Sequence, residues 1–259
     1  MKKLNIAIVG LGNIGAYLFK YLNENKKILT KKNNCIPLIK YVSAKNKKRK
    51  RNIKISKNQW LNSYLDATKI DDIDLIIELI GGAEGPAKKL VFNALKNKKH
   101  VVTANKALIA KYGDQLAKIA EKNKVNLEFE ASVCGGVPII RSLKEGLIAN
   151  KISKIYGILN GTSNYILSSM DKENKNFDEV LNNAKKLGYA ESNSSADLNG
   201  DDVSAKLKIL SSLCFNSFLN NNIYVEGIKN IDKIDIDNAN KLGYKIKLLG
   251  YAELRNNKI

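Results

Sequence analysis

Apolar runs alternate with amphipathic stretches through the first half of the chain, the pattern of βαβ units around a parallel sheet. Leu4–Val9 reads as a first strand. Asn13–Leu22 reads as a helix, with Ile14, Leu18 and Leu22 four residues apart on one face. Strands are predicted at Ile36–Ser43, Leu75–Leu79 and His100–Thr103; Leu75–Leu79 is a short apolar run of the kind buried parallel strands have. Pro86–Lys96 is predicted helical with proline in its first turn, Asp114–Asn123 as a further helix, and Val125–Glu130 as a fifth strand. The texture changes near Ala131. Val133–Pro138 reads as a turn, Ile139–Leu147 as a helix and Ile152–Asn160 as a strand. Asp178–Leu187 is a helix closed by Gly188, and Asp202–Phe215 and Asn238–Ala252 are longer helices. The expected organisation is an α/β domain over residues 1–130 followed by an α+β domain over residues 131–259, with no internal repeat.

Composition adds constraints. The 259 residues are 44% hydrophobic and 27% charged, ordinary for a globular chain. No apolar run approaches the ~20 residues that span a bilayer, so no membrane partner is expected. The apolar start runs straight into a glycine turn and reads as a strand, not a signal peptide. Cys35, Cys134 and Cys214 lie far apart without a CxxC pair, which fits a reduced, cytoplasmic protein. The formal charge of +19 could indicate a nucleic-acid partner. Lysine is spread along the whole chain among asparagine and isoleucine, however, and no recognition helix or aromatic-interleaved surface accompanies it. A general compositional bias explains the charge better, and no nucleic acid is expected. The densest basic run is Lys45 to Lys57.

Gly10-Leu11-Gly12-Asn13-Ile14-Gly15 matches GxGxxG between a predicted strand and a predicted helix. Gly10 allows a tight turn, Gly12 lets the backbone approach a pyrophosphate, and Gly15 lets helix and strand pack closely. The N–H groups at Asn13 and Ile14 open the helix, where phosphates bind. A glycine-rich turn without a ligand is the competing reading. In context the first domain is expected to be a Rossmann-type NAD(P) domain. NAD enzymes usually place an acid at the end of the second strand. Here Val42-Ser43-Ala44-Lys45-Asn46 leads into Lys47-Lys48-Arg49-Lys50-Arg51. A 2′-phosphate would be attracted there, so NADP(H) is expected over NAD(H), with Lys45 as its contact. The alternative is a solvated basic loop.

Three segments together resemble the homoserine dehydrogenases. The first is Ile80-Gly81-Gly82-Ala83-Glu84-Gly85-Pro86 with His100-Val101-Val102-Thr103-Ala104-Asn105-Lys106. The second is Asn160-Gly161-Thr162-Ser163-Asn164-Tyr165-Ile166. The third carries Gly188-Tyr189-Ala190-Glu191 and then a D-x-x-G-x-D core, Asp197 to Asp202, with Lys206 four residues on. The resemblance covers essentially the whole chain. The third segment also makes chemical sense alone. Asp197 and Asp202 flank a helix start, where carboxylates are favoured, and Asp202 and Lys206 share a face at i and i+4. An exposed ion pair on a capped helix is the competing reading.

The resemblance implies reversible NAD(P)H-dependent reduction of aspartate semialdehyde to homoserine, in threonine, methionine and isoleucine biosynthesis. It implies that Lys206 is the proton donor, that Asp202 orients it, and that Lys106 also lines the active site. Glu191 and Asp197 would bind the substrate's polar groups, and Thr103 and Thr162 would lie near the nicotinamide. Glu130-Ala131-Ser132-Val133-Cys134-Gly135-Gly136-Val137 resembles the family's monovalent cation loop, which implies sodium held by Glu130 and the carbonyls of Val133, Gly135 and Val137. Oxygen-only ligation suits a hard cation; a plain linking turn is the alternative. The second domain would then be a substrate and dimerisation domain of a homodimer. Family members continue beyond the position of Ile259 through the rest of that domain, often into a threonine-sensing ACT domain, so an incomplete sheet with an open edge is expected. Lys45, Asn46 and Ser194 depart from the family's usual arginine, aspartate and proline. His100, Cys134 and Trp60 are given no catalytic role.

Overall fold

Five short parallel strands form one sheet: β1 (Lys2–Val9), β2 (Cys35–Ser43), β3 (Leu75–Glu78), β4 (His100–Thr103) and β5 (Leu127–Glu128), in the order β2-β1-β3-β4-β5. The computed structural model describes residues 1–191, 193–216 and 223–255, in two units, Met1–Ile140 and Arg141–Ile259. The sheet belongs to the first. Ile6, Ala7, Ile8 and Val9 of β1 and Ile76 and Ile77 of β3 are buried, as strands covered on both faces require. Helices α1 (Asn13–Glu24), α2 (Lys26–Asn33), α3 (Pro86–Lys96) and α4 (Lys106–Asn123) connect the strands. Leu90, Val91, Ala94 and Leu95 of α3 and Leu108 and Leu116 of α4 are buried. The chain leaves β1 for β2 on one side and returns to β3 on the other. The strand order therefore reverses beside β1, at the crevice where open α/β sheets bind ligands.

Helix α5 (Ile139–Arg141) spans the division between the units. The first unit runs further than the expected limit at residue 130, and Ile140 N–H donates to Glu130 Oε1 at 2.8 Å. Past α5 the helix widens over Ser142–Gly146, and Leu147 N–H reaches the Ser142 carbonyl. In the second unit α6 (Gly161–Glu173), α7 (Phe177–Lys186), α8 (Ser195–Asn199), α9 (Asp201–Phe215) and α10 (Lys233–Lys241) accompany an antiparallel pair, β6 (Lys154–Gly157) and β7 (Gly250–Glu253). Ile166, Leu167 and Met170 of α6 pack with Val180 and Ala184 of α7, Leu198 of α8, Ile228 and Ile236.

Several elements differ from expectation; helices α2, α6 and α8 have no counterpart among the expected ones. The helix expected over Asn238–Ala252 starts earlier, where Asp232 and Asp235 form a capping box, and ends at Lys241 before Gly243 at φ +78°. Residues Gly250–Glu253 are instead a strand paired with β6. Helix α4 begins at Lys106, not Asp114, because the Asn105 side chain caps it through Leu108 N–H. The strand expected over Val125–Glu130 shortens to Leu127–Glu128, and Glu130 opens a single 3₁₀ turn.

Candidate active site

The glycine turn follows β1 directly. Gly10 has φ +108°, and a Cβ there would stand 2.4 Å from the main-chain carbonyl of Leu79. A Cβ on Gly15 would stand 2.0 Å from the Gly10 carbonyl oxygen. Both positions therefore exclude any side chain. Gly12 differs: a Cβ would meet nothing within 4 Å, so the space over its backbone is open. Gly12 also caps α1 without a side-chain hydrogen bond. The first turn of α1, at Asn13, Ile14 and Gly15, thus follows a stretch of backbone that no side chain covers.

The basic loop after β2 is anchored to this turn. Arg51 Nε donates to the Leu11 carbonyl at 2.8 Å, and its other nitrogens hold the carbonyls of Asn46 (2.8 Å) and Arg49 (2.9 Å). Its guanidinium lies over the Trp60 ring. Partial burial, then the neighbouring Arg49 charge, push the Arg51 guanidinium below its ordinary value. Arg49 Nη2 reaches Asn13 Oδ1 at 3.4 Å, beside the start of α1. Lys45 is exposed on the same loop. Loop composition had singled out Lys45; only tertiary folding distinguishes Arg51 as the anchor and Arg49 as the cation beside the helix.

At the end of β4, Thr103 is 1% exposed; its hydroxyl donates to Glu78 and accepts from Asn105 N–H. Lys106 is the first residue of α4, just after the Asn105 cap. In the 130–137 segment Val133 is buried, Gly136 has φ +82°, and the Val137 carbonyl accepts Ile139 N–H. Among the described residues no group of three or more His, Cys, Asp or Glu side chains could hold a metal ion.

The second unit contains the other cluster. Lys206 Nζ lies 2.9 Å from Asp202 Oδ2 and donates to the Leu159 carbonyl at 2.8 Å. The lysine side chain is 17% exposed and the aspartate 4%, so this is no surface pair. Asn160 Nδ2 donates both to Asp197 Oδ1 (2.7 Å) and to Asp202 Oδ2 (2.9 Å). Its Oδ1 accepts from Ser163, capping α6. Thr162 Oγ1 donates to the Tyr189 carbonyl at 2.8 Å, and Tyr189 stacks on Tyr165. These contacts fix the turn that ends at the exposed Glu191. Gly200, at φ +86°, separates α8 from α9 and turns Asp197 and Asp202 toward one asparagine. Sequence reasoning placed both aspartates and Lys206 but gave Asn160 no role. The available signal was an asparagine preceding a helix start.

Comparison with known proteins agrees in both units. Residues 10–130 match the family model described as "Homoserine dehydrogenase, NAD binding domain", and residues 138–258 match the one described as "Homoserine dehydrogenase". A homoserine dehydrogenase of Bacillus subtilis is 39% identical over 260 residues, covering 100% of this chain and 60% of its own length. One from Neisseria gonorrhoeae is 41% identical, covering 96% and 57%. The crystal structure of the Thiobacillus denitrificans homoserine dehydrogenase superposes with a TM-score of 0.92 at 40% identity, covering 99% of this chain and 59% of that one. A hyperthermophilic archaeal homoserine dehydrogenase in complex with NADPH shares the fold, at TM-score 0.76 and 22% identity, covering 99% and 83%. The chain spans 57–60% of the length of these curated relatives. A glycine turn at the switch point, a sheltered Lys206–Asp202 pair whose aspartate is held by Asn160, and matches across both units lead to one conclusion: the chain belongs to the homoserine dehydrogenase family.

Proposed function

We propose that this chain carries out homoserine dehydrogenase chemistry, the reversible NAD(P)H-dependent reduction of L-aspartate 4-semialdehyde to L-homoserine. The observation that carries the proposal is the half-buried Lys206, whose ammonium is aimed by two fixed acceptors, Asp202 and the Leu159 carbonyl. An ammonium has three N–H donors. Two are directed at these acceptors, and the third is left for a substrate oxygen. When bound, a nicotinamide cofactor supplies the hydride to the aldehyde carbon. Lys206 gives its proton to the carbonyl oxygen as negative charge develops there, and takes it back in the alcohol-to-aldehyde direction. Asp202 holds the lysine in place and is itself held by Asn160. Asp197, on the other side of the same amide, and Glu191 bind the substrate's amino end. Lys106, at the carboxyl end of the sheet, is proposed as a second active-site lysine.

Gly10, Gly12, Asn13, Ile14 and Gly15 would hold the pyrophosphate. Lys45 with Arg49 would favour the 2′-phosphate of NADP(H). Thr162 is proposed near the nicotinamide, with Thr103 contributing through the loop it braces. Glu130 and the carbonyls of Val133, Gly135 and Val137 would supply an oxygen-only set suited to sodium. A cytoplasmic homodimer acting on a small-molecule substrate completes the proposal. The test is NADPH oxidation by the purified protein with aspartate semialdehyde, with and without sodium. Lys206→Ala is expected to lower turnover by at least ~100-fold, the low end for a general acid. A near-wild-type rate removes Lys206 from the mechanism. One other reading is a polypeptide that binds the cofactor without turning over substrate. NADPH binding without oxidation supports that reading.

A further inference from the structure

We propose that Glu78 is a positioning residue: through Thr103 and Asn105 it braces the two loops that flank the nucleotide cradle. The inference rests on the cofactor reading above. Glu78 ends β3, in register with Val9 of β1 on one side and Thr103 of β4 on the other. It therefore stands beside the strand that delivers the glycine turn. It is 0% exposed. Its Oε1 accepts from Ile80 N–H at 2.7 Å and Gly81 N–H at 3.0 Å, and its Oε2 accepts from the Thr103 hydroxyl at 2.5 Å. The Thr103 oxygen in turn accepts from Asn105 N–H at 3.0 Å. Asn105 Nδ2 closes the ring by donating to the Gly82 carbonyl at 2.8 Å, while its Oδ1 caps α4 through Leu108 N–H.

The bonds thus run from the loop after β3, through the loop after β4, and back to the first. One wall of this ring is the cradle itself. Leu79 N–H donates to the Val9 carbonyl at 2.8 Å, and the Leu79 backbone is what forbids a side chain at Gly10. The other end of the ring sets the first turn of α4, where Lys106 sits. Among the described residues Glu78 has no cation partner, so its buried charge is not offset by an ion pair. What the carboxylate provides is the backbone geometry of Ile80–Gly82 and of the Asn105 cap. Thr103 has a single hydroxyl proton, directed at Glu78. Its contribution to cofactor binding therefore runs through the ring.

Paired substitutions at Thr103 separate this role from packing. Valine keeps the shape and loses the hydroxyl; serine keeps the hydroxyl and loses the methyl. NADPH affinity is measured by fluorescence titration of the purified protein, alongside thermal melting. The brace predicts that Thr103→Val weakens NADPH binding by about ten- to a hundredfold while Thr103→Ser stays close to wild type. Glu78→Gln should lose a similar factor, because its amide nitrogen cannot accept the Thr103 proton. The double variant Glu78→Gln/Thr103→Val should lose little more than either single one, as expected for groups in one network. Should Glu78→Gln fail to fold, the Thr103 pair still decides. Wild-type affinity in Thr103→Val, or a larger loss in Thr103→Ser, overturns the brace alone. A wild-type protein that binds no nicotinamide cofactor overturns the underlying reading, and the brace with it.

Discussion

Glu84 lies in the loop between β3 and α3, where its carboxylate accepts from Lys111 at 2.8 Å, from the Tyr112 hydroxyl and from Lys88 at 3.1 Å. These bonds, Lys111 first, hold its carboxyl at about 2 against the ordinary 4.5. The folded protein therefore holds that proton less tightly than the unfolded chain. Between these two values the unfolded state binds more protons, so stability is present above pH about 4.5 and is lost as pH falls toward 2. The group is exposed, so solvent and salt screen the effect. Glu84→Gln is expected to flatten the acid limb of the urea midpoint across that window, and to do so less in high salt; an unaltered limb would remove Glu84 from acid stability. Residues of this kind were only half legible in the sequence. Asp197, Asp202 and Lys206 could be placed because their spacing follows from helix geometry. Glu78 could not, because it is the one acid inside a run that reads as apolar, and its three donors come from the loop that follows it and from another strand. Asn105 and Asn160 carried a visible capping signal, but their second bonds, to Gly82 and to the two aspartates, are tertiary.

Elements with strong local punctuation were read closely. Pro86–Lys96 and His100–Thr103 are bounded in the structure as the sequence suggests. Where the local signal and the tertiary partner disagree, the partner decides. Residues 250–253 look helical in isolation but pair with β6, a strand almost a hundred residues away in the chain. Helix α6 was not anticipated as an element, since its first turn, Gly161-Thr162-Ser163, favours non-helical conformations until Asn160 caps it. The clearest element-level constraint is at Gly227. A Cβ there would stand 2.3 Å from the Leu198 carbonyl oxygen and 2.7 Å from Asn199 Cα. The neighbouring Ile228 N–H donates to that same carbonyl at 2.8 Å, tying the segment onto the end of α8. Gly227→Ala must push the segment away from α8, the helix that bears Asp197. Overpacking of this kind costs about 1–3 kcal/mol. A lowered denaturation midpoint by circular dichroism is expected, with weaker aspartate semialdehyde saturation in the turnover assay. An unchanged midpoint would mean that the two backbones separate freely.

At the scale of the whole molecule the dominant property is the net charge of +19. Much of it is spread along the sequence, and charge spread in this way attracts anions without specificity. The exception is the run Lys45 to Arg51, where exposed cations crowd beside the start of α1 and Arg51 ties them to the glycine turn. A cofactor with a 2′-phosphate brings about two extra negative charges to this place, whereas NADH brings a neutral hydroxyl. If the loop selects NADPH by charge, the selection must decline with ionic strength, because the screening length falls from about 10 Å at 0.1 M salt to about 3 Å at 1 M. NADPH affinity should therefore drop more steeply with salt than NADH affinity, and the two dissociation constants should converge. A diffuse field acting on the whole dinucleotide would weaken both in parallel, since both carry the same pyrophosphate. Calorimetric titrations of each cofactor at low and high salt separate the cases. Parallel slopes, or a preference for NADH at every salt concentration, would show that the basic loop does not discriminate between the cofactors.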